Sequence, residues 1–205
     1  MSFEKALGSL TGKVQHRAEA LVDAFESGQI SQGTFITALA DVVGQARAQG
    51  ATYAVAVLRD YVETALEAPV AVSPAMPPAD LKRLEGAVVT ILGSDQDTRM
   101  QVVRLATGET LDAAHKAYGD TMEKLPMVNG WTRGLDSQAC ELCQWWGRDG
   151  RVFRPEHQMP RHTGCVCHPV PTVTRTSNFQ NEKQAINASR TNARREAKRG
   201  NNNVA

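Results

Sequence analysis

The sequence predicts a mainly α protein: an N-terminal helical region, then a small zinc-stabilised β-rich C-terminal module, then a basic flexible tail. Three observations carry this expectation. Apolar residues recur at intervals of three and four over most of the first 125 positions, the spacing of a helix with one buried face. All four cysteines of the 205-residue chain fall between Cys140 and Cys167. From Arg175 to Ala205 there are seven Lys/Arg against two Glu, with Phe179 and Ile186 almost the only large apolar side chains.

The first predicted helix carries Phe3, Leu7, Leu10, Val14, Leu21 and Phe25 on one face and closes at Gly28. Ser31 is placed to cap a second helix with the face Phe35, Leu39, Val42 and Ala46, ending at Gly50. A third carries Ala54, Val57, Leu58, Tyr61 and Ala65. Together they make a helical hairpin or bundle over 1–68. Prolines at 69, 74, 77 and 78 then remove backbone donors and favour extended chain, which marks 69–79 as a linker.

Helix resumes over 80–125. Asp80 stands at the N-cap of a stretch with Leu81, Leu84, Val88 and Leu92 on one face, and Gly93-Ser94-Asp95 ends it. Asp97 caps the next, which includes Val102, Leu105, Leu111, Ala114, Tyr118 and Met122, with Gly108 placed to kink or divide it. From 126 the character changes. Trp131, Trp145 and Trp146 lie among Gly130, Gly134, Gly147 and Gly150, and β-prone pieces occur at 151–153 and 169–173. This region, 126–175, reads as a small knuckle with Asp149-Gly150 as a hairpin turn and tryptophan supplying core; 176–205 is the tail.

The net charge of +1 excludes a polyelectrolyte role for the chain as a whole. No apolar run approaches the ~20 residues of a membrane span, so no membrane association is expected. Met-Ser-Phe-Glu-Lys opens directly on an amphipathic pattern rather than a secretory signal, so synthesis in the cytoplasm is expected. Clustered cysteines in that reducing compartment favour metal over disulfides.

The cluster reads Cys140-x2-Cys143, then His162-x2-Cys165-x-Cys167. Two thiol pairs on separate turns suit a tetrahedral ion. Cys140, Cys143, His162, Cys165 and Cys167 are five candidates for four positions. Spacing does not choose between an all-cysteine site and one of three cysteines and His162, and His157 and His168 are weaker candidates. Ligands in surplus, and no His-x-Glu or His-Glu-x2-His to supply a general base, point to structural Zn²⁺ rather than a catalytic ion. His16 and His115 receive no role.

Gly130-Trp131-x-Arg133-x-Leu135-Asp136 leading into Cys140-x2-Cys143, followed by Gly150 and Pro160-x-His162-x2-Cys165-x-Cys167, resembles a phage family. These are the minor head (minor capsid) proteins of tailed phages related to the F protein of phage Mu, as found in phages of actinobacteria. Ser27-Gly28-Gln29-Ile30-Ser31 and Gln49-Gly50-Ala51 are similar to that family's helical region. The resemblance implies a non-enzymatic structural protein inside the virion head, made in the host cytoplasm. It would associate with the portal or major capsid protein and assist head assembly, DNA packaging or ejection. Where that family often has arginine between the last two cysteines, this chain has Val166. A competing expectation is a zinc-stabilised nucleic-acid-binding regulator, motivated by the clustered tryptophans and the basic tail. In either case Arg190, Arg194, Arg195, Lys198 and Arg199 are the residues that would contact phosphates.

Overall fold

The computed structural model describes residues 3–147, 150–162 and 164–174. Four helices come first: α1 (Phe3–Glu26), α2 (Gln32–Leu66), α3 (Leu81–Leu92) and α4 (Thr98–Glu123). The strand β1 (Val128–Gly134), a short helix α5 (Glu141–Gly147) and the strand β2 (His168–Val173) follow. The protein is therefore mainly α, with a small two-stranded module after the helices.

The sequence signals account for most of the helix ends. Gly28, at φ 74°, carries the chain out of α1, and its N–H reaches the Phe25 carbonyl at 3.0 Å. The Ser31 hydroxyl accepts the Thr34 N–H at 3.2 Å, and the Asp97 carboxylate accepts that of Met100 at 2.6 Å. Asp80 departs from expectation. It precedes α3 in the left-handed region at φ 43° and makes no capping bond; its carboxylate instead accepts from Arg83 Nε at 2.8 Å.

Two further corrections concern glycine. The expected second and third helices are one continuous helix, α2, and Gly50 lies inside it. Gly50 marks a close approach rather than an end: a Cβ there would lie 2.9 Å from the Thr110 carbonyl oxygen on α4. Gly50→Ala gains helix propensity of about 1 kcal/mol, but overpacking against a backbone atom costs about 1–3 kcal/mol. We expect a net loss of about 1 kcal/mol in denaturant unfolding, and a stabilised variant would contradict the packing. Gly108 likewise neither divides nor ends α4.

Buried residues form two main clusters along the helices. Val14, Ala18 and Val22 of α1 meet Phe35, Leu39 and Val43 of α2, Leu84, Val88 and Ile91 of α3, and Val102 and Ala106 of α4. In the second cluster, Phe3 and Leu7 meet Ala54, Leu58 and Val62 of α2, Leu111, Tyr118 and Met122 of α4, and Trp131 of β1. Thus α1 runs antiparallel to α2 and α4 runs parallel to it. The segment between α2 and α3 makes this possible by returning along the body. Its Val70 and Val72 pack on the second cluster, and the Ala75 N–H donates to Thr121 Oγ1 at 3.1 Å. Helices on both sides of 69–79 therefore share one core.

One polar network ties α2, α3 and α4. Glu109 pairs with Arg47, and accepts from Arg83 through both oxygens at 2.8 and 2.7 Å. Burial pushes the Glu109 carboxyl up, but the Arg83 hydrogen bonds and the two guanidinium charges outweigh it and hold it below the ordinary value. A depressed folded value means the stabilisation is complete above the unfolded value of about 4.3 and fades as pH falls through the folded one. We expect Glu109→Gln to cost about 2 kcal/mol at neutral pH, the range for bonds to charged groups. The deficit should shrink in unfolding titrations below about pH 4; a pH-independent deficit would contradict an electrostatic origin.

In the module, β1 pairs antiparallel with β2, from Val128 opposite Val173 to Gly134 opposite His168, with a bulge between Val128 and Gly130. On its other side Trp131 exchanges backbone hydrogen bonds with Phe153 at 2.9 and 2.8 Å. Gly130 lies under that crossing, where a Cβ would come within 2.7 Å of the Phe153 carbonyl. Asp149 of the expected hairpin turn lies outside the described residues, as does the tail beyond 174. No helix among the described residues is long and apolar enough to cross a membrane.

Candidate metal centre

Helix α5 was not expected from the sequence, and it positions the first thiol pair. Cys140 accepts the Gln144 N–H at 2.9 Å, which places it at the helix start, with Cys143 one turn further on the same side. The second pair sits on a tight turn: Gly164 adopts φ 79° and Cys165 N–H returns to the His162 carbonyl at 3.2 Å. Cys167 follows at the entrance to β2.

These elements bring the donors together. His162 Nε2 lies 3.1 Å from Cys140 Sγ and 3.2 Å from Cys143 Sγ, and Cys143 Sγ lies 3.5 Å from Cys165 Sγ. Cys140, Cys143 and His162 form one group able to hold a metal ion, and Cys143, Cys165 and Cys167 form another; Cys143 belongs to both. Around a tetrahedral ion with bonds of ~2.3 Å to sulfur and ~2.05 Å to nitrogen, donors stand roughly 3.6–3.8 Å apart. The three close pairs lie a few tenths of an ångström inside these separations. Cys165 and Cys167 stand outside the close group of Cys140, Cys143 and His162, so a four-donor site requires the two groups to draw together around the ion. The soft thiolate and imidazole set suits it chemically.

Cys167 differs from the others in its surroundings. Its S–H donates to Asp136 Oδ2 at 3.2 Å, and its sulfur accepts the Asp136 N–H at 3.4 Å. Burial raises its thiol, and the adjoining Asp136 carboxylate and Cys165 sulfur raise it further, against the Asp136 N–H. Cys143 shifts the other way. Burial opposes its ionisation, but the hydrogen bond from Arg133 prevails and lowers it. Arg133 Nη2 reaches Cys143 Sγ at 3.2 Å and Cys165 Sγ at 3.8 Å, while Nη1 donates to the Pro160 carbonyl at 2.8 Å. A guanidinium facing two sulfurs offsets the negative charge that several thiolates bring to one ion.

The helical body grips this module through α1. Phe3 stacks on His168 with centroids 4.6 Å apart, and Glu4 accepts from Ser137 Oγ at 2.6 Å. His115 of α4 donates from Nε2 to the Cys165 carbonyl at 3.1 Å. Burial, then the Arg161 charge, push this histidine down to about 3, so it is neutral at pH 7. Sequence reasoning missed His115 because its partner is 50 positions away. It also gave no role to Arg133 and Asp136, although both stand in the motif before Cys140. His157 and His168 do not join the donor groups; they stack on Phe153 and Phe3. Val166, between the last two cysteines, packs against the second helical cluster.

Fold and site together define a mainly α protein carrying a Cys/His cluster able to hold a metal ion on a two-stranded module. No family model, curated protein or solved structure matches the chain.

Proposed function

We propose that the chain is a structural minor head protein of a tailed phage, in which Zn²⁺ closes the C-terminal module as a rigid plug. The ion would be held by Cys140, Cys143, His162 and Cys165, with Cys167 retained as a thiol beside Asp136. The observation that supports the structural reading is that two three-residue donor groups share Cys143 and together offer five protein donors, more than the four a tetrahedral ion takes, so none need be water. Asp136, the carboxylate hydrogen-bonded to the cluster, is engaged by the Gln138 N–H at 2.8 Å and by Cys167. We therefore assign no catalytic activity.

The placement in a phage head rests on the resemblance of residues 130–167. On this reading the protein resides inside the virion, bound to the portal or major capsid protein, with packaged DNA as a further partner. Arg190, Arg194, Arg195, Lys198 and Arg199, the tail residues assigned to DNA, lie outside the described residues. Mass spectrometry of purified procapsids and mature heads is the test. Recovery at low copy number is expected, and consistent absence from both particles would overturn the placement.

A further inference from the structure

Beside the metal cluster lies a cleft of about 500 Å³, within the size range of ligand sites. We infer that this cleft binds unpaired nucleotides of a single-stranded nucleic acid by stacking a base on Trp145. Its floor is a run of rings. Trp131 stacks on Phe153 at 4.5 Å and 21°, and Phe153 stacks on His157 at 5.1 Å and 11°. Trp145 and Trp146 of α5 also line the cleft, and Trp145 is 55% exposed.

The charges select an anionic aromatic occupant over an apolar peptide. Arg133 and Arg151 line the cleft, and no carboxylate does so among the described residues. Arg133 is already committed, with its guanidinium 4.9 Å from the Trp146 ring centre and its donors on Pro160 and the cysteine sulfurs. It fixes Trp146 against the metal cluster. Arg151 lies 5.1 Å over the Phe153 ring and is exposed, so among the described residues of the cleft it is the cation available to a phosphate. An exposed stacking face beside an exposed cation gives sequence-tolerant binding of single strands, because every base presents a π-face. A duplex hides those faces. The proposal does not depend on where the protein resides; it rests on the module being closed.

The test uses full-length, zinc-loaded protein and an oligothymidylate about 15 nucleotides long, near the upper end of known site sizes. Saturable quenching of tryptophan fluorescence is expected at low salt, with weaker binding of a duplex of equal length. Trp145→Ala should weaken single-strand affinity about 5- to 100-fold, the range for one stacked base. Arg151→Gln should flatten the log–log salt dependence by about 0.7, one phosphate contact on a single strand. Zinc content and circular dichroism of both variants should match wild type. A variant with Arg190, Arg194, Arg195, Lys198 and Arg199 replaced by glutamine should retain the Trp145-dependent quenching. The assignment is overturned by absence of binding at low salt, by equal affinity for duplex, or by binding that survives Trp145→Ala and disappears with the tail cations.

Discussion

Cys143→Ser should strip the protein of its metal ion and unfold the module while the helical body stays folded. Cys143 is the thiol that the two donor groups share, so its loss leaves neither group with three donors. It is also the sulfur against which Arg133 is held, and Arg133 in turn holds Trp146. Apparent binding free energies of structural zinc are about 10–16 kcal/mol at neutral pH, more than the stability of most domains. The two strands and the seven residues of α5 bury too little apolar area to replace that contribution. The helices keep the cluster formed by Val14, Phe35, Leu39, Val88 and Val102, which involves no module residue. Circular dichroism should therefore retain most helical signal, while limited proteolysis cuts between residues 126 and 174. Cys167→Ser should leave both metal and protection in place. Equal loss in the two variants would transfer Cys167 into the ligand set.

Trp131→Ala is the second large expected loss. Trp131 is 1% exposed and joins the second helical cluster, so it links the module to Phe3, Leu58 and Tyr118. Its indole stacks on Phe153, and Nε1 donates to the His157 carbonyl at 3.0 Å. Removing a buried ring of this kind costs about 3–5 kcal/mol, through lost transfer energy and the cavity left behind. The carbonyl of His157 also loses its donor. Exposed Trp145 provides the internal comparison: Trp145→Ala should change stability by no more than about 0.5 kcal/mol. Urea unfolding followed by circular dichroism measures both. A cost below about 1 kcal/mol for Trp131→Ala would mean that this ring is not the module's core.

The helical faces were legible because burial against neighbouring helices follows a local period. Phe3, Leu7, Leu10 and Val14 were expected on one face and are all buried. Gly50 was misread for a physical reason. A glycine that ends a helix and one that admits a neighbouring backbone look alike until the neighbour, Thr110, is known. Asp80 was misread because an acidic side chain can cap or form an ion pair, and Arg83 with Glu109 decides which. The five candidate ligands were visible in their spacing. The choice among them was not, because it depends on which thiol meets Arg133 and which meets Asp136. The tryptophan roles split similarly: composition announced core material, but only the pairing of β1 with Phe153 buries Trp131 and leaves Trp145 outside.

Zinc K-edge absorption spectroscopy on the purified full-length protein, with metal stoichiometry, tests the ligand assignment most directly. We expect one ion per chain with three sulfurs at about 2.3 Å and one imidazole nitrogen at about 2.0 Å. The spectrum should be unchanged in Cys167→Ser, and stoichiometric metal should be absent from Cys143→Ser. An all-sulfur shell that loses a scatterer in Cys167→Ser would contradict the ligand assignment, and protein that folds fully without metal would contradict the zinc-clamped module.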